Sequence, residues 1–199
     1  ATAGLQNRGP EAAVEMTQFL LECDSNVALH QYKDEIPLFW VCIWANDEDA
    51  NTPSLNANLK ILQLLYDAHP EAIESSEITS NDGRFCHQEV QTFINTQLTY
   101  IRQAKDRTLM NTRDENGQLP LHKALRDNVN LGSIKLLVKG NPSAISCADG
   151  TGMMPLHIAC QQHESASVTE YLIKLDPTSL HREDLHDNTA LHYACRPAN

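Results

Sequence analysis

The chain has 199 residues, a formal net charge of −11 and an apolar fraction of 41%, which are values of a globular protein with a sizeable core. The negative charge argues against a surface for nucleic acid or anionic membranes, because both need clustered Lys and Arg, and it leaves a basic partner possible. No apolar run is long enough to cross a bilayer, and residues 1–10 lack the segments of a signal peptide.

The cysteines and the lack of glycosylation sequons indicate an intracellular, reducing compartment. No two of the six cysteines form a C-x-x-C pair, and no N-x-S/T sequon with a permitted middle residue occurs. We therefore expect free thiols and a cytoplasmic protein, without excluding the nucleus or an organelle.

In chain order, the first predicted element is a helix over 14–23, V-E-M-T-Q-F-L-L-E-C. Pro37-Leu38 then begins a second short helix, and a third follows over 59–66, before a stop at H-P-E-A-I (69–73). The polar, acidic stretch 46–54 is predicted to be an insertion between the second and third helices.

The middle of the chain predicts one long amphipathic helix over 86–106. Its apolar residues are spaced by three and four and so share one face: Val90, Phe93, Ile94, Leu98, Ile101 and Ala104. The preceding residues 75–84 contain Asn-Asp-Gly and predict a loop.

The last third of the chain repeats one short segment three times. The copies are P-L-H-K-A-L from Pro120, P-L-H-I-A-C from Pro155 and A-L-H-Y-A-C from Ala190, which places a histidine at 122, 157 and 192. A turn-prone cluster precedes each copy. Second helical segments follow at 134–139 and 168–175, and each ends before a proline. The pattern predicts repeated units of turn, helix, loop, helix and stop.

This pattern resembles the ankyrin repeat, whose signature T-P-L-H-x-A opens the first of two helices. The matching motif residues are Pro120, Leu121, His122, Pro155, Leu156, His157, Thr189, Leu191 and His192. The chain departs from the motif at Leu119 and Met154, which replace its Thr, at Phe39, which replaces its His, and at Asp187, which replaces the turn Gly. The resemblance implies an all-α fold, an ankyrin-type α-solenoid of stacked helix-turn-helix repeats with short turn or hairpin loops.

We predict a single ankyrin-repeat domain over 1–199, divided into six parts. These are a partial repeat (14–30), a repeat with the acidic insertion (31–73), a degenerate repeat with the long helix (74–110), two regular repeats (111–145 and 146–180) and a partial repeat (181–199). Neither end has the polar cap that a solenoid needs, so we expect a longer array or a covering subunit.

The recurring histidine has three possible roles. His157-x-x-Cys160 and His192-x-x-Cys195 have the spacing of metal ligands, but helices about 8–10 Å apart hold equivalent residues too far apart for one zinc ion. A Cys nucleophile with a His base is also possible, although the cysteine register, which includes Leu125, is typical of a small buried position. The resemblance implies the third role, a hydrogen-bonded link between the turn of one repeat and its neighbour. In this role the Thr hydroxyl is kept only at Thr189.

These observations predict a non-catalytic scaffold or adaptor that binds another protein, with no cofactor, no metal, no nucleic acid and no membrane insertion. No nucleotide-binding, zinc-protease or serine-hydrolase motif occurs. The alternatives are a regulatory or targeting segment of a larger enzyme or channel, and a structural subunit of a large assembly.

The resemblance implies that partners contact the turns and the exposed side of the first helices. The predicted contact residues are Trp40, Ile43, Trp44, Glu115, Gln118, Arg126, Asp127, Gly150, Met153, Gln161, Gln162, Leu185, Asn188 and Arg196. Trp40 and Trp44 would anchor an interface if exposed, and the alternative is that at least one of them fills the core. Ile158 and Tyr193 share a register that predicts partial burial.

Overall fold

In the computed structural model, residues 9–31, 36–44, 52–75, 88–162 and 166–196 are described, and at 39, 43, 44, 52–54, 74 and 75 only the backbone is. Helices form all the regular structure of these residues, as the sequence predicts. The chain divides into two compact units, an amino-terminal unit, Ala1–Leu98, and a carboxy-terminal unit, Thr99–Asn199.

The described residues of the amino-terminal unit form five helices and one 3₁₀ turn. They are α1 (Pro10–Cys23), the 3₁₀ turn Ser25–Leu29, α2 (Pro37–Trp44), α3 (Thr52–Ala68), α4 (Ala72–Ser75) and the first part of α5 (Gln88–Lys105). Pro10 and Pro37 stand at helix starts, where the missing N–H group costs no hydrogen bond.

The core of the amino-terminal unit is apolar. Leu38, Leu62, Tyr66 and Ile73 are almost completely inaccessible to solvent. The ring of Tyr66 meets that of Phe93 edge to face, with centroids 5.7 Å apart. Packing of large side chains therefore holds α2, α3 and the start of α5 together.

The carboxy-terminal unit continues with α6 (Arg107–Asn111), α7 (Pro120–Arg126), α8 (Leu131–Gly140), α9 (Pro155–Gln162), α10 (Ala166–Leu175) and α11 (Ala190–Ala194). The 3₁₀ turns Pro142–Ser146 and Pro177–His181 follow α8 and α10 and confirm the predicted stops. Helix α7 packs against α8 and α9, and α9 packs against α10 and α11. The order turn, first helix, second helix and stop recurs as predicted.

The long helix predicted over 86–106 is confirmed as α5, with Val90, Ile94, Leu98 and Ile101 buried. The sequence did not predict the separate helix α6. Asp106 begins it, because its carboxylate accepts hydrogen bonds from the backbone N–H groups of Thr108 and Leu109.

Two predicted boundaries need correction. The insertion 46–54 is shorter than predicted, because α3 already begins at Thr52, and residues 46–51 lie outside the described residues. The helix predicted over 59–66 is the middle of α3, which runs from Thr52 to Ala68. Almost all of the predicted loop 75–84 lies outside the described residues. The grouping of 1–199 into one domain with these six repeats stays a prediction.

Candidate interaction surface

Three turns of the carboxy-terminal unit share one hydrogen-bonded design. These tip turns are residues 114–118, 149–153 and 184–188, and each begins with an aspartate. The aspartate Oδ1 accepts from the backbone N–H groups two and four residues later, at donor–acceptor distances of 2.8–3.0 Å: Asn116 and Gln118, Thr151 and Met153, His186 and Asn188. The side chain thereby orders the turn before the first helix begins.

The fourth residue of each tip turn has a left-handed backbone. Its φ angle is 69° at Gly117, 79° at Gly152 and 58° at Asp187. Glycine adopts this conformation without steric cost, and aspartate is among the few other residues that tolerate it. Asp187 therefore takes the turn position of the motif's glycine, and the turn keeps its shape.

Backbone hydrogen bonds join successive tip turns into one row. The N–H of Gly150 donates to the carbonyl of Asn116 over 2.9 Å, and the N–H of Leu185 donates to the carbonyl of Thr151 over 3.3 Å. The guanidinium of Arg113 also donates to the carbonyl of Ala148 over 2.8 Å. We call the three turns together the tip row, and its backbone is fixed before any partner binds.

Two histidines link the first helices α7 and α9 to the next repeat. Nδ1 of His122 accepts from the backbone N–H of Leu119 at 3.1 Å, and its Nε2 donates to the carbonyl of Cys147 at 2.9 Å. His157 makes the equivalent bonds to Met154 at 2.9 Å and Arg182 at 3.0 Å. Because an N–H can only donate and a carbonyl can only accept, both rings are the Nε2–H tautomer.

This geometry explains why the motif's Thr is dispensable. The ring is held by the backbone N–H of the residue before Pro, so Leu119 and Met154 serve as well as threonine. Thr189 adds a contact of 2.9 Å between its Oγ1 and Nδ1 of His192, as predicted. The linking role is thus confirmed for His122 and His157, and it does not depend on the hydroxyl.

The histidines and cysteines are arranged for packing. Both ring nitrogens of His122 and of His157 already have hydrogen-bond partners, so neither ring is a metal ligand. Among the described residues, no three His, Cys, Asp or Glu side chains come together as a metal site would require. Burial raises the pKa of Cys42 to about 12 and raises the pKa of Cys160, which disfavours the reactive thiolate of both.

Buried carboxylates fix the second tip turn to helix α7 and the third tip turn to helix α11. Asp149 accepts a bond of 2.8 Å from the guanidinium of Arg126, and Asp184 accepts one from the phenol of Tyr193. Burial acts to raise the pKa of each carboxyl, but the hydrogen bonds from the turn and from Arg126 or Tyr193 outweigh it and lower the pKa. Both side chains therefore carry a negative charge at neutral pH.

Most predicted contact residues of the carboxy-terminal unit are at least partly accessible. Glu115, Asp127, Gly150, Gln161, Leu185 and Arg196 are exposed, and Gln118, Arg126, Gln162 and Asn188 are half-buried. Arg126 forms an ion pair with Asp149, and Asp127 accepts a hydrogen bond of 2.6 Å from Tyr100.

The prediction of Met153 as a contact residue is wrong, because only 7% of Met153 is exposed and it belongs to the core. Its side chain points inward since the tip turn directs the residue after Gly152 toward the helices. Trp40 is half-buried, and the side chains of Ile43 and Trp44 lie outside the described residues. Ile158 and Tyr193 are buried more completely than predicted.

The motif residues differ in burial between the first two copies and the last. Leu121, His122, Leu156 and His157 are buried, whereas Leu191 is 69% exposed and His192 is also exposed. Nothing among the described residues stacks on α11 as α9 stacks on α7. The buried register of the motif therefore depends on a following repeat.

Sequence reasoning missed the aspartates that begin the tip turns and the bridging role of Arg113. The signal was present, because Asp114, Asp149 and Asp184 recur with the same spacing as the histidines.

Among the described helices, none is long and apolar enough to span a membrane.

Comparison with known families agrees with this geometry. A family model of ankyrin repeats, in three copies, matches residues 128–199, which contain α8 to α11 and two of the three tip turns. The sequence has no match among curated proteins. Ankyrin repeats are generally protein–protein interaction modules that form helix-turn-helix solenoids. Residues 128–199 of this chain therefore belong to the ankyrin repeat family.

Proposed function

We propose that this chain is a non-catalytic adaptor or scaffold that binds another protein along the tip row of its carboxy-terminal unit. The observation that carries the proposal is the pair of backbone hydrogen bonds between successive tip turns, Asn116 to Gly150 and Thr151 to Leu185. They place three turns side by side with the side chains of Glu115, Thr151 and Leu185 exposed.

A row of this kind suits binding because its backbone is already ordered. Association costs less when the contacting loops lose little freedom, so an ordered row leaves more of the contact energy for affinity. Leu185, the second residue of its turn, is 73% exposed, and a large exposed apolar side chain is suited to anchor a partner. Acidic and polar neighbours such as Glu115 and Asp187 would form the hydrated rim.

An intracellular location fits the same proposal. Cys23, Cys42, Cys147, Cys160 and Cys195 are free thiols. Such thiols persist where the medium is reducing.

Site-specific photocrosslinking in cells tests the proposal. A photoreactive amino acid is placed at Glu115, Thr151 or Leu185 of the tip row. In control proteins it is placed at Lys139 of α8 or Glu170 of α10, which are exposed on second helices. We expect the tip positions to crosslink one common protein that the control positions do not reach. Crosslinks to that protein only from α8 and α10 would contradict the tip row as the binding surface.

A further inference from the structure

A small cavity lies beside the first tip turn, between α6 and the start of α7. Its volume is about 190 Å³, and every residue of its wall belongs to the carboxy-terminal unit. The wall includes Leu109, Arg113, Asp114, Leu119, Pro120 and Lys123. Small-molecule sites occupy about 300–1,000 Å³, and one water molecule occupies about 30 Å³. This cavity, which we call the α6–α7 cavity, therefore has room for one side chain of a partner rather than for a cofactor.

Lys123 occupies a helix position that is buried in the other two repeats. The same register holds Ile158, which is 0% exposed, and Tyr193, which is 5% exposed, whereas Lys123 is exposed. The fold therefore does not require a cation at this position. Lys123 forms no ion pair with any described residue, so its charge is available to a partner.

Arg113 is a second cation that the repeat does not require, because the other repeats have Ala148 and Glu183 at its register. Nη1 of Arg113 donates to the carbonyls of Gly117 and Ala148, and these bonds orient the guanidinium. Its Nε and Nη2 form no hydrogen bond with the described residues. Because these two groups can donate side by side to one carboxylate, the cavity has a pre-oriented site for an acidic group.

The charge of this region is opposite to that of the whole chain. Residues 99–127 contain six Lys or Arg and four Asp or Glu, a formal charge of +2, whereas the chain has −11. Two cations and one carboxylate line the cavity itself. That carboxylate, Asp114, uses Oδ1 to order the tip turn through the N–H groups of Asn116 and Gln118. An anionic group is therefore attracted to this side of an otherwise acidic protein.

The apolar part of the wall favours an acidic peptide over other anions. Leu109 is 47% exposed, and Leu119 and Pro120 continue the apolar wall. A phosphate group gains nothing from such a surface, whereas a peptide can bury an apolar side chain on it and place a carboxylate at the cations. The described wall contains no aromatic side chain, so it lacks the stacking platform that single-stranded nucleic acid uses.

We propose that the α6–α7 cavity binds an acidic segment of a partner protein. An Asp or Glu carboxylate of the segment lies at Arg113 and Lys123, and a neighbouring apolar side chain packs on Leu109. This inference rests on the proposed function, because the cavity adjoins the first tip turn, and it defines the chemistry of the partner at that end of the tip row.

Nuclear magnetic resonance of the isotope-labelled full chain tests the proposal with synthetic peptides. The probe is a ten-residue peptide with Glu-Leu-Glu at its centre and Gly and Ser elsewhere. Three control peptides replace both Glu by Gln, replace Leu by Ser, or replace both Glu by phosphoserine. One small cavity offers few contacts, so we expect a dissociation constant of about 1 mM, which amide chemical shifts detect.

Two pairs of matched variants locate the binding. Lys123→Glu reverses a charge at the cavity, and Lys174→Glu makes the same change at an exposed lysine of α10. Leu109→Asn removes the apolar contact, and Leu175→Asn changes a leucine of nearly equal exposure, 48% against 47%. Arg113 is left unchanged because it also joins two tip turns. Amide spectra away from the cavity verify that each variant is folded.

We expect the probe to shift the amides of Leu109, Arg113 and Lys123. Lys123→Glu should weaken binding about tenfold or more and Leu109→Asn about threefold or more, while both control variants stay within about twofold. Absence of shifts at several times this peptide concentration, equal binding of the Gln or Ser peptide, or equal losses in a variant and its control would overturn the proposal. Tighter binding of the phosphoserine peptide would also overturn it and assign the cavity to phosphate groups.

Crosslinking along the tip row gives an independent result. If the tip positions crosslink a partner while the probe shifts no amide, this inference fails and the proposed function stands. If the probe binds while Glu115, Thr151 and Leu185 crosslink no common protein, the cavity stands as a site for acidic segments and the tip row fails as the binding surface.

Discussion

In the carboxy-terminal unit, buried imidazoles connect one repeat to the next, whereas in the amino-terminal unit the described contacts are mainly apolar. His122 and His157 each bridge to a carbonyl of the following repeat, at Cys147 and Arg182. The corresponding residue of the amino-terminal unit is Phe39, whose ring has no nitrogen to donate or accept. There Tyr66, Ile73 and Val90 are completely buried.

The comparison teaches that one helical register is stabilised in two ways. Apolar packing is not directional, so it tolerates changes in helix length such as the long α3 and α5. A histidine with two backbone partners fixes both the turn and the neighbouring repeat, so the repeats it joins share one spacing. The regular tip row occurs where the histidines occur.

The largest effect is expected from breaking the amino-terminal core. Tyr66→Ala removes a fully buried ring and its edge-to-face contact with Phe93, and should lower the free energy of unfolding by about 4 kcal/mol. Both tryptophans, at 40 and 44, belong to this unit, so their fluorescence in urea reports its unfolding. Tyr66→Phe keeps the ring and is the control. An equal loss in both variants would show that ring packing is not what stabilises this unit.

The next effect comes from breaking the histidine link. His122→Ala leaves the Leu119 N–H and the Cys147 carbonyl without their partner and opens a cavity, and should cost about 3 kcal/mol. Urea denaturation followed by circular dichroism measures it. His192→Ala is the matched control. Its ring is exposed and bonds only to Thr189 among the described residues, so the cost should be about 1 kcal/mol. Similar costs for the two changes would refute the linking role.

The tip row can be broken at Gly117. A Cβ there would lie 2.9 Å from the backbone nitrogen of Gly150, and φ is +69°, so Gly117→Ala should cost about 2 kcal/mol. Hydrogen exchange should become faster at Gly150, whose N–H bonds to Asn116. Unchanged exchange at Gly150 would mean that the turns are ordered independently of one another.

Acidification should weaken the carboxy-terminal unit through His122. Burial lowers the pKa of this imidazole from 6.5, opposed by its bond to Cys147. Below pH 6.5 the unfolded chain therefore takes up the proton first, and stability falls as pH falls, by at most about 1.4 kcal/mol per pH unit for one proton. Urea denaturation at pH 7.5 and pH 5 measures the loss. The His122→Gln variant should lose less on acidification, and an identical pH dependence would exclude this histidine as the cause.

The smallest expected effect is a gain in stability from making the third tip turn more like the other two. Asp187 has φ of +58° at the position where Gly117 and Gly152 stand, so Asp187→Gly should relieve strain and raise stability by about 0.5 kcal/mol. The gain is small because aspartate tolerates this conformation. Thermal denaturation compares the variant with the unmodified chain, and a lower melting temperature would show that the Asp187 side chain contributes a contact that outweighs the strain.

The parts predictable from sequence are those with a local chemical signal. The helix starts at Pro120 and Pro155 and the helix ends at Gly140 and Leu175 could be predicted, because each depends on residues close in sequence. The role of the histidines in joining repeats could be predicted because they recur with a fixed period. The apolar spacing of α5 also identified its buried face.

The sequence predictions that were wrong concern side chains whose burial depends on the tertiary environment. Met153 lies at an exposed register but turns into the core. Leu191 lies at a buried register but is exposed, because α9 is the one described α-helix that packs closely against α11.

Hydrogen exchange of the chain with and without the crosslinked partner tests the central claim most directly. If the tip row is the binding surface, exchange should slow at 115–118, 150–153 and 185–188 and stay unchanged along α8 and α10. Protection confined to α8 and α10, with unchanged exchange at all three tip turns, would contradict the account.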